Sequence, residues 1–419
     1  MTTPTTSPAV LLSHPAGNQN VRNALRSFVE HGMLAEFWTT VTWDTESAWN
    51  RLLPDGVQAQ LARRSFPEAP TSKVRTLPWM EIVRLGARST PLEPLLCSGE
   101  RMFSTFGVYR HFSRRVARRL TESGRDVPAA IYTYELAANV AFREAKRRGI
   151  TRIYEKDSSY WEWARTLYRE EVDLNPEFAS SLTSLTETDR FRKWEYEELQ
   201  LADHIIVPSD HVRRTLAGVV PEEKIRVVTF GAPEVRPRTQ FNLDPKAPLK
   251  VLFVGNLGQH KGISYLLEAM EMLGDQAELT LIGCRRGPNV KIDEACRRWR
   301  WLGTMPHPRV LDRMQEADVF VFPSLAEGCA LVVLEALACG LPVIVTPNTG
   351  TTEIIQDGRE GYVVPIRRAE VIASRLETLH RDRDLLAEMS RQAQVTAAEN
   401  SWEGYRAHLA SVVRSVVWR

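Results

Sequence analysis

The sequence predicts an α/β protein built of two doubly wound, Rossmann-like domains that face each other across a cleft. Three observations lead there. Strand-like and helix-like segments alternate almost throughout, which calls for parallel sheets with crossover helices. The chain has 419 residues, more than one hydrophobic core usually serves. The stretch GAPEVRPRTQFNLDPKAPL (231–249) holds four prolines and interrupts the alternation, leaving halves with a shared βαβα plan on either side.

Taken in order, MTTPTTSP (1–8) is uncharged and Thr/Pro-rich. It lacks the basic start and apolar core of a signal peptide and is expected to be a disordered tail. The N-terminal domain is placed at 9–235. AVLLSH (9–14) is its first strand; Val21, Ala24, Leu25, Phe28 and Val29 follow at helical spacing and stop at Gly32. AAIYTYE (129–135), ITRIYEKD (150–157), HIIVPS (204–209) and KIRVVTF (224–230) read as further strands. The region 44–128, rich in Pro and Arg, is expected to be irregular apart from RHFSRRVARRL (110–120). There Arg110, Arg114, Arg115, Arg118 and Arg119 share a helix with Phe112, Val116 and Leu120. We read it as a solvated basic face, with a membrane-surface helix as the other reading. A linker is placed at 236–248 and a C-terminal domain at 249–383. Its strands are LKVLFVG (249–255), ELTLIG (278–283), DVFVFPS (318–324), PVIVTP (342–347) and GYVVP (361–365). Residues 384–419 are expected to form helices that pack back on the N-terminal domain.

Composition narrows the function. A net charge of +2 gives no global pull toward nucleic acid or anionic lipid, so nucleic acid is excluded as a partner. The five cysteines (Cys97, Cys284, Cys296, Cys329, Cys339) are odd in number and lack CxxC spacing; they read as reduced residues of a cytoplasmic protein, not as a disulfide frame or a zinc site. No apolar run reaches the ~18–20 residues that span a bilayer.

In an open α/β sheet, ligands bind beyond the carboxyl ends of the strands. There the second half places Gly255-Asn256-Leu257-Gly258 and Lys261-Gly262 after one strand, Pro323-Ser324 and Glu327-Gly328 after another, and Asn348 to Thr352 after a third. Read as a helix, Cys329–Cys339 is apolar at every position but Glu335. A helix apolar all round is buried, and a lone carboxylate in it is costly unless something binds it. Gly328 leaves the backbone open to approach. The first N–H groups of the helix, at Cys329, Ala330 and Leu331, have no intrahelical partner and suit a phosphate. Lys261 adds a full charge, and Thr351 and Thr352 are expected to open another short helix. Glu335, ~9 Å along the helix from Cys329, is placed for a ribose, and Glu327 for a sugar at the other end. The pair fits a nucleotide-sugar.

Glu327-x7-Glu335 within PSLAEGCALVVLEALACGLPVIVTPNTGTTEIIQDGREGYVVP (323–365), with VLFVGNLGQHKGISYLLEA (251–269) and ADVFVFPS (317–324), resembles the signature of glycosyltransferase family 4. HPAGNQNVRNAL (14–25) resembles the N-terminal loop of some members, which adds His14 as a catalytic residue and Gly17 and Asn18 as substrate contacts; LADHIIVPSDHVRRTL (201–216) resembles a further family segment. The resemblance implies a retaining GT-B enzyme without bound metal or separate cofactor. Its donor would be a nucleotide-sugar of UDP or GDP, and its acceptor a small molecule, a glycan or a lipid-linked sugar. By resemblance Glu327 contacts the donor sugar, Glu335 the ribose and Lys261 the diphosphate, and base contacts fall on backbone near Gly303 to Met305. Front-face attack, with the leaving phosphate helping to deprotonate the acceptor, is the mechanism such a site suggests. A nucleotide-sugar epimerase of the same fold and a sugar-nucleotide-binding protein without transfer activity are the alternatives.

Two departures from the pattern follow. Many members carry arginine where this chain has Asn256 or His260, and many carry histidine near the sugar where this chain has Glu135. Arg285, or else Arg286, leaves the same sheet edge and is our candidate for the second diphosphate cation, with His260 as its competitor. Tyr160, Trp161 and Trp163 are read as core residues in preference to a sugar-stacking platform.

Overall fold

The computed structural model describes residues 10–418 apart from 48–57, 59–60, 63, 88–89, 91–92, 98, 100, 123–125, 187–188, 240, 242 and 286. The tail expected at 1–8 and Arg286 therefore lie outside the described residues.

Two parallel sheets carry the fold. The first orders its strands β3-β2-β1-β4-β5-β6-β7, from β1 (Val10–Ser13), β2 (Leu34–Thr39), β3 (Val74–Thr76), β4 (Ala130–Tyr134), β5 (Thr151–Glu155), β6 (His204–Val207) and β7 (Ile225–Val227). The second orders them β10-β9-β8-β11-β12-β13, from β8 (Leu249–Val254), β9 (Ala277–Ile282), β10 (Arg300–Trp301), β11 (Val319–Phe322), β12 (Val343–Val345) and β13 (Gly361–Val363). Both are doubly wound sheets with a GT-B pair of domains around them. Strand order reverses between β1 and β4 and again between β8 and β11, and ligands bind at such switch points.

The helices longer than four residues in the first half are α1 (Gln19–Glu30), α2 (Pro78–Ala87), α3 (Thr105–Thr121), α4 (Asn139–Arg147), α5 (Trp161–Leu174), α6 (Asp189–Leu201) and α7 (Asp210–Thr215). Those in the second are α8 (Ile263–Leu273), α9 (Val290–Arg298), α10 (His307–Glu316), α11 (Leu331–Ala338), α12 (Ala369–Arg381), α13 (Arg383–Glu399) and α14 (Trp402–Val417). The last of these returns to the first domain: Ser27 Oγ of α1 donates to Arg406 O at 2.6 Å, and Arg406 pairs with Glu30 at 2.8 Å.

Three expectations need correction. The stretch 44–128 is not irregular, since it holds β3, α2 and α3. The apolar helix begins at Leu331, not Cys329, because the Ala330 N–H is taken by Thr349 O (2.9 Å) and its backbone is extended. Glu335 is thus one turn from the helix start, ~6 Å along the axis. Thr351 and Thr352 open no helix; a short 3-10 turn, Pro347–Thr349, comes before them, and the Thr349 and Thr351 hydroxyls meet at 2.9 Å.

Candidate active site

The carboxyl ends of β8 and β11 bring Lys261 and Glu327 together. After β8 the chain makes a 3-10 turn, Gln259–Lys261, that ends at Gly262. Gly262 is left-handed (φ 67°), and a Cβ there would stand 2.0 Å from Pro323 O, so glycine is what lets this loop lie against the loop after β11. Leu325 N and Ser324 Oγ both donate to His260 O, at 3.0 and 3.1 Å. In this frame the Lys261 ammonium pairs with the Glu327 carboxylate, and Ser324 Oγ donates to the same carboxylate at 2.7 Å. Lys261 Nζ also lies 5.2 Å from the Phe322 ring centroid.

Glu335 is 7% exposed, and its partner is His307, the first residue of α10, whose Nε2 stands 2.8 Å from the carboxylate. That hydrogen bond holds the His307 pKa above its ordinary value against the opposing effect of burial. His307 escapes sequence reading because only the tertiary fold aims α10 at α11.

Gly328 is where the N-terminal domain presses in. A Cβ on it would stand 1.7 Å from Asp157 O. Ser209 Oγ donates to Gly328 O at 2.6 Å, and Ser159 Oγ to Glu327 O at 2.9 Å. Cys329 is buried, and its thiol pKa is pushed well up by that burial. Between the 156–161 segment and the Glu327–Cys329 loop lies a cleft of about 420 Å³, a volume suited to a small-molecule site. Trp161 lines it, whereas Tyr160 is buried and Trp163 stands edge-on to His211.

On the far wall, the C-terminal end of β5 delivers Lys156, which pairs with Glu135 and with Glu195 of α6, each at 3.0 Å. Burial pushes the Glu195 carboxyl up to about 8, opposed by Lys156. For Glu135, burial raises the pKa, but Lys156 outweighs it and leaves the net shift downward. Glu135 is followed by Leu136 in a left-handed conformation (φ 65°), fixed by the Glu198 carboxylate, which accepts from the N–H groups of Leu136, Ala138 and Asn139 at 2.8–2.9 Å. Lys156 and Glu195 were missed in sequence; nothing local marks either acid or base as facing inward.

The first loop leaves the carboxyl end of β1. His14 follows β1 and stacks edge-on to Tyr134 at 4.8 Å; burial, helped by Arg64, lowers its pKa to about 3. Its Nδ1 accepts from Ala16 N at 3.0 Å, which leaves the proton of the neutral ring on Nε2. Asn18 caps α1, accepting from Val21 N at 3.0 Å. A Cβ on Gly17 would stand 2.4 Å from the Phe66 ring. Both residues thus have local structural work.

At the C-terminal domain's other corner, Cys284 Sγ meets Asn256 Oδ1 at 2.8 Å, and Leu257 forms a parallel bridge with Arg285. Arg285 pairs with Asp293 at 2.5 Å and stacks on Trp301 at 4.9 Å. Among the described residues, no three His, Cys, Asp or Glu side chains gather as a metal-ligand set.

With this geometry in place, the family described as glycosyl transferases group 1 matches residues 236–396. That match falls on the C-terminal domain, and the two-sheet architecture around it is the GT-B fold. A putative colanic acid biosynthesis glycosyltransferase of Salmonella typhimurium is 28% identical over 248 residues, 53% of this chain and 59% of that one. The chain spans about half the length of the curated relatives it matches. Among solved structures, sucrose-phosphate synthase from Thermosynechococcus elongatus superposes with a TM-score of 0.66 at 20% identity, covering 97% of this chain and 98% of that one. Anabaena HepE in complex with UDP-glucose gives 0.61 at 15% identity, covering 97% and 99%. At such identities the likeness is one of fold.

Proposed function

We propose that the protein is a metal-independent, retaining glycosyltransferase that moves a sugar from a nucleoside-diphosphate sugar to an acceptor hydroxyl. One observation carries the reading: Lys261 and Glu327 come from the two strands that flank the C-terminal switch point, and they meet beside the cleft. A cation there can stabilise charge developing on a leaving diphosphate. A carboxylate beside it can accept from sugar hydroxyls. Glu335, a turn into α11, is left for the ribose. The UDP-glucose bound to the structural neighbour HepE is the kind of donor such an arrangement suits. On the opposite wall, Glu135 with Lys156 forms the acceptor side. With the domains closed, water is kept from the donor.

The test is donor turnover with and without a chelator. UDP- and GDP-sugars without acceptor should release nucleoside diphosphate slowly, and EDTA should leave the rate unchanged. Loss of activity in EDTA with recovery on manganese or magnesium refutes the metal-independent reading. Interconversion of the sugar in place of release refutes the transferase.

A further inference from the structure

The run Pro208-Ser209-Asp210-His211 follows β6 and opens α7. The chemistry proposed above uses none of it, yet three of its polar groups lead to the C-terminal domain. Ser209 caps α7, accepting from Val212 N at 3.2 Å, and its own hydroxyl proton goes to Gly328 O at 2.6 Å. The Asp210 N–H donates to the Glu353 carboxylate at 2.6 Å. His211 reaches across through a second hydroxyl. Its Nε2 stands 3.0 Å from Ser159 Oγ, which in turn lies 2.9 Å from Glu327 O. Two successive carbonyls of the loop that carries Glu327 are thus held from the N-terminal domain. Gly350 gives the room: a Cβ there would stand 1.9 Å from Gly328 O and 2.8 Å from Ser209 Oγ.

The protons in this chain can be placed. A carbonyl oxygen only accepts, so the single Ser159 hydroxyl proton goes to Glu327 O. Ser159 Oγ can then meet His211 only as an acceptor, which requires a proton on Nε2. His211 is 2% exposed, and burial, aided by the charge of Arg214, lowers its pKa to about 4. The ring is therefore neutral near pH 7 and carries one proton, on Nε2. Trp163, edge-on at 4.9 Å, packs against the imidazole. With the proton on Nδ1 instead, the ring would draw the Ser159 hydroxyl toward itself and take the donor away from Glu327 O.

We propose that His211 is a positioning residue: by donating to Ser159 it aims that hydroxyl at Glu327 O and latches the Glu327–Cys329 loop to the N-terminal domain. The consequence for Glu327 is geometric. Its N–H is held by Asn348 O of its own domain at 2.9 Å, and its carbonyl by Ser159 of the other. The carboxylate that meets Lys261 therefore leaves a backbone fixed from both domains. That this carboxylate serves a donor sugar rests on the transferase reading; the latch itself does not.

Cys329 reports on the latch. It is 8% exposed, and burial and the Glu353 charge push its thiol pKa well up, against a backbone hydrogen bond at Phe230 of the N-terminal domain. Cys339, wholly buried in the core of the C-terminal domain, is the internal control. The experiment is alkylation of the full chain with N-ethylmaleimide, followed at each cysteine by mass spectrometry. His211→Ala should speed labelling of Cys329 by about two- to twelvefold, the shift in open population that one neutral hydrogen bond permits, and leave Cys339 unchanged. Ser159→Ala should also speed it, and the double variant should label no faster than Ser159→Ala, since His211 acts through that hydroxyl. His211→Gln, which keeps an N–H donor, should bring the rate back toward that of the unaltered protein. On the same samples, kcat for release of UDP from UDP-glucose should fall while affinity for UDP, measured by calorimetry, holds. Unchanged labelling of Cys329 in His211→Ala overturns the proposal, as do effects of the two single variants that multiply in the double one. So does faster labelling of Cys339 alongside Cys329, which makes His211 a folding residue. An unaltered protein inert toward UDP- and GDP-sugars sinks the transferase reading alone, and the labelling still decides the latch.

Discussion

Glu171 of α5 offers a direct test of whether contact between the domains organises the site. Its side chain is wholly buried, yet three of its partners belong to the C-terminal domain: Gln259 Nε2 donates at 2.7 Å, Tyr265 OH at 3.0 Å and Arg367 Nε at 2.5 Å. Gln259 opens the 3-10 turn that carries Lys261, and its N–H is held by Ser181 Oγ of the N-terminal domain at 2.9 Å. Glu171→Ala removes the carboxylate from this junction. A single hydrogen bond to a charged group is worth about 1.5–3 kcal/mol. The three contacts share one carboxylate and do not add. Their donors regain water once the domains part, so the penalty for an abandoned buried charge does not apply in full. We therefore take about 2–3 kcal/mol, all of it lost from the closed form, or roughly 30- to 150-fold in kcat/KM. Steady-state transfer kinetics and thermal unfolding on the same samples give the answer, and Glu171→Gln, which keeps an acceptor oxygen, should recover part of the loss. Unchanged kcat/KM refutes the reasoning. A collapse of thermal stability that accounts for the lost activity refutes it as well, since it makes Glu171 a folding residue.

Three further outcomes follow. Glu335→Ala should weaken donor and free nucleoside diphosphate alike, while Glu327→Ala should harm transfer yet leave nucleotide binding equal or tighter, because it releases Lys261; calorimetry that shows equal weakening by both variants reverses the assignment of the two acids. Arg285→Ala should lower kcat/KM by roughly ten- to a hundredfold if that side chain leaves Asp293 for the diphosphate; a silent variant, with activity that falls as pH rises past the histidine range, assigns the role to His260. Burial raises the Glu155 carboxyl from 4.5 to about 7, against the pull of its hydrogen bond from Tyr132 at 2.5 Å. A raised acid keeps its stability contribution below the unfolded value and loses it as pH climbs through the folded one, here up to about 3 kcal/mol by neutral to mildly alkaline pH. Glu155→Gln should accordingly raise the melting temperature at about pH 8 relative to its effect at about pH 5, and an identical effect at both values counts against the buried acid.

Much of the fold was legible because parallel strands buried on both faces read as plain apolar runs. The lost elements were those whose polarity is inverted by a tertiary partner. β2, LAEFWT, hides behind Glu36, which is buried because Arg119 and the Trp38 indole N–H bind it, the latter at 2.8 Å. α2 hides because its acid points in and its tryptophan out. In the site, Lys261 and Glu327 were legible because each sits one loop beyond a clear strand. His307, Lys156 and Glu195 were not, since nothing within a few residues of them records which element they will face.

Asn18 carries two readings at once. An amide at a loop-to-helix junction reads equally as a ligand contact and as an N-cap, and here its oxygen accepts from Val21 N.

The two acids that stood out in the sequence end with different partners, and the difference bears on mechanism. Glu335 is held by His307, whose side chain is 52% exposed and free to turn away toward solvent. Glu327 is held by Lys261, which is 16% exposed and packed on Phe322. A diphosphate arriving at the start of α11 competes with Glu327 for that one ammonium. Under the proposed function, donor binding therefore does two things at once. It neutralises the phosphates with Lys261, and it frees the Glu327 carboxylate for the sugar hydroxyls beside it. The ion pair is then a device that holds both side chains in place until the substrate that needs both divides them. Lys261→Met, which leaves Glu327 without its cation, should cost more in kcat than in nucleotide affinity if this is so. A loss confined to affinity would leave Lys261 as an anchor only.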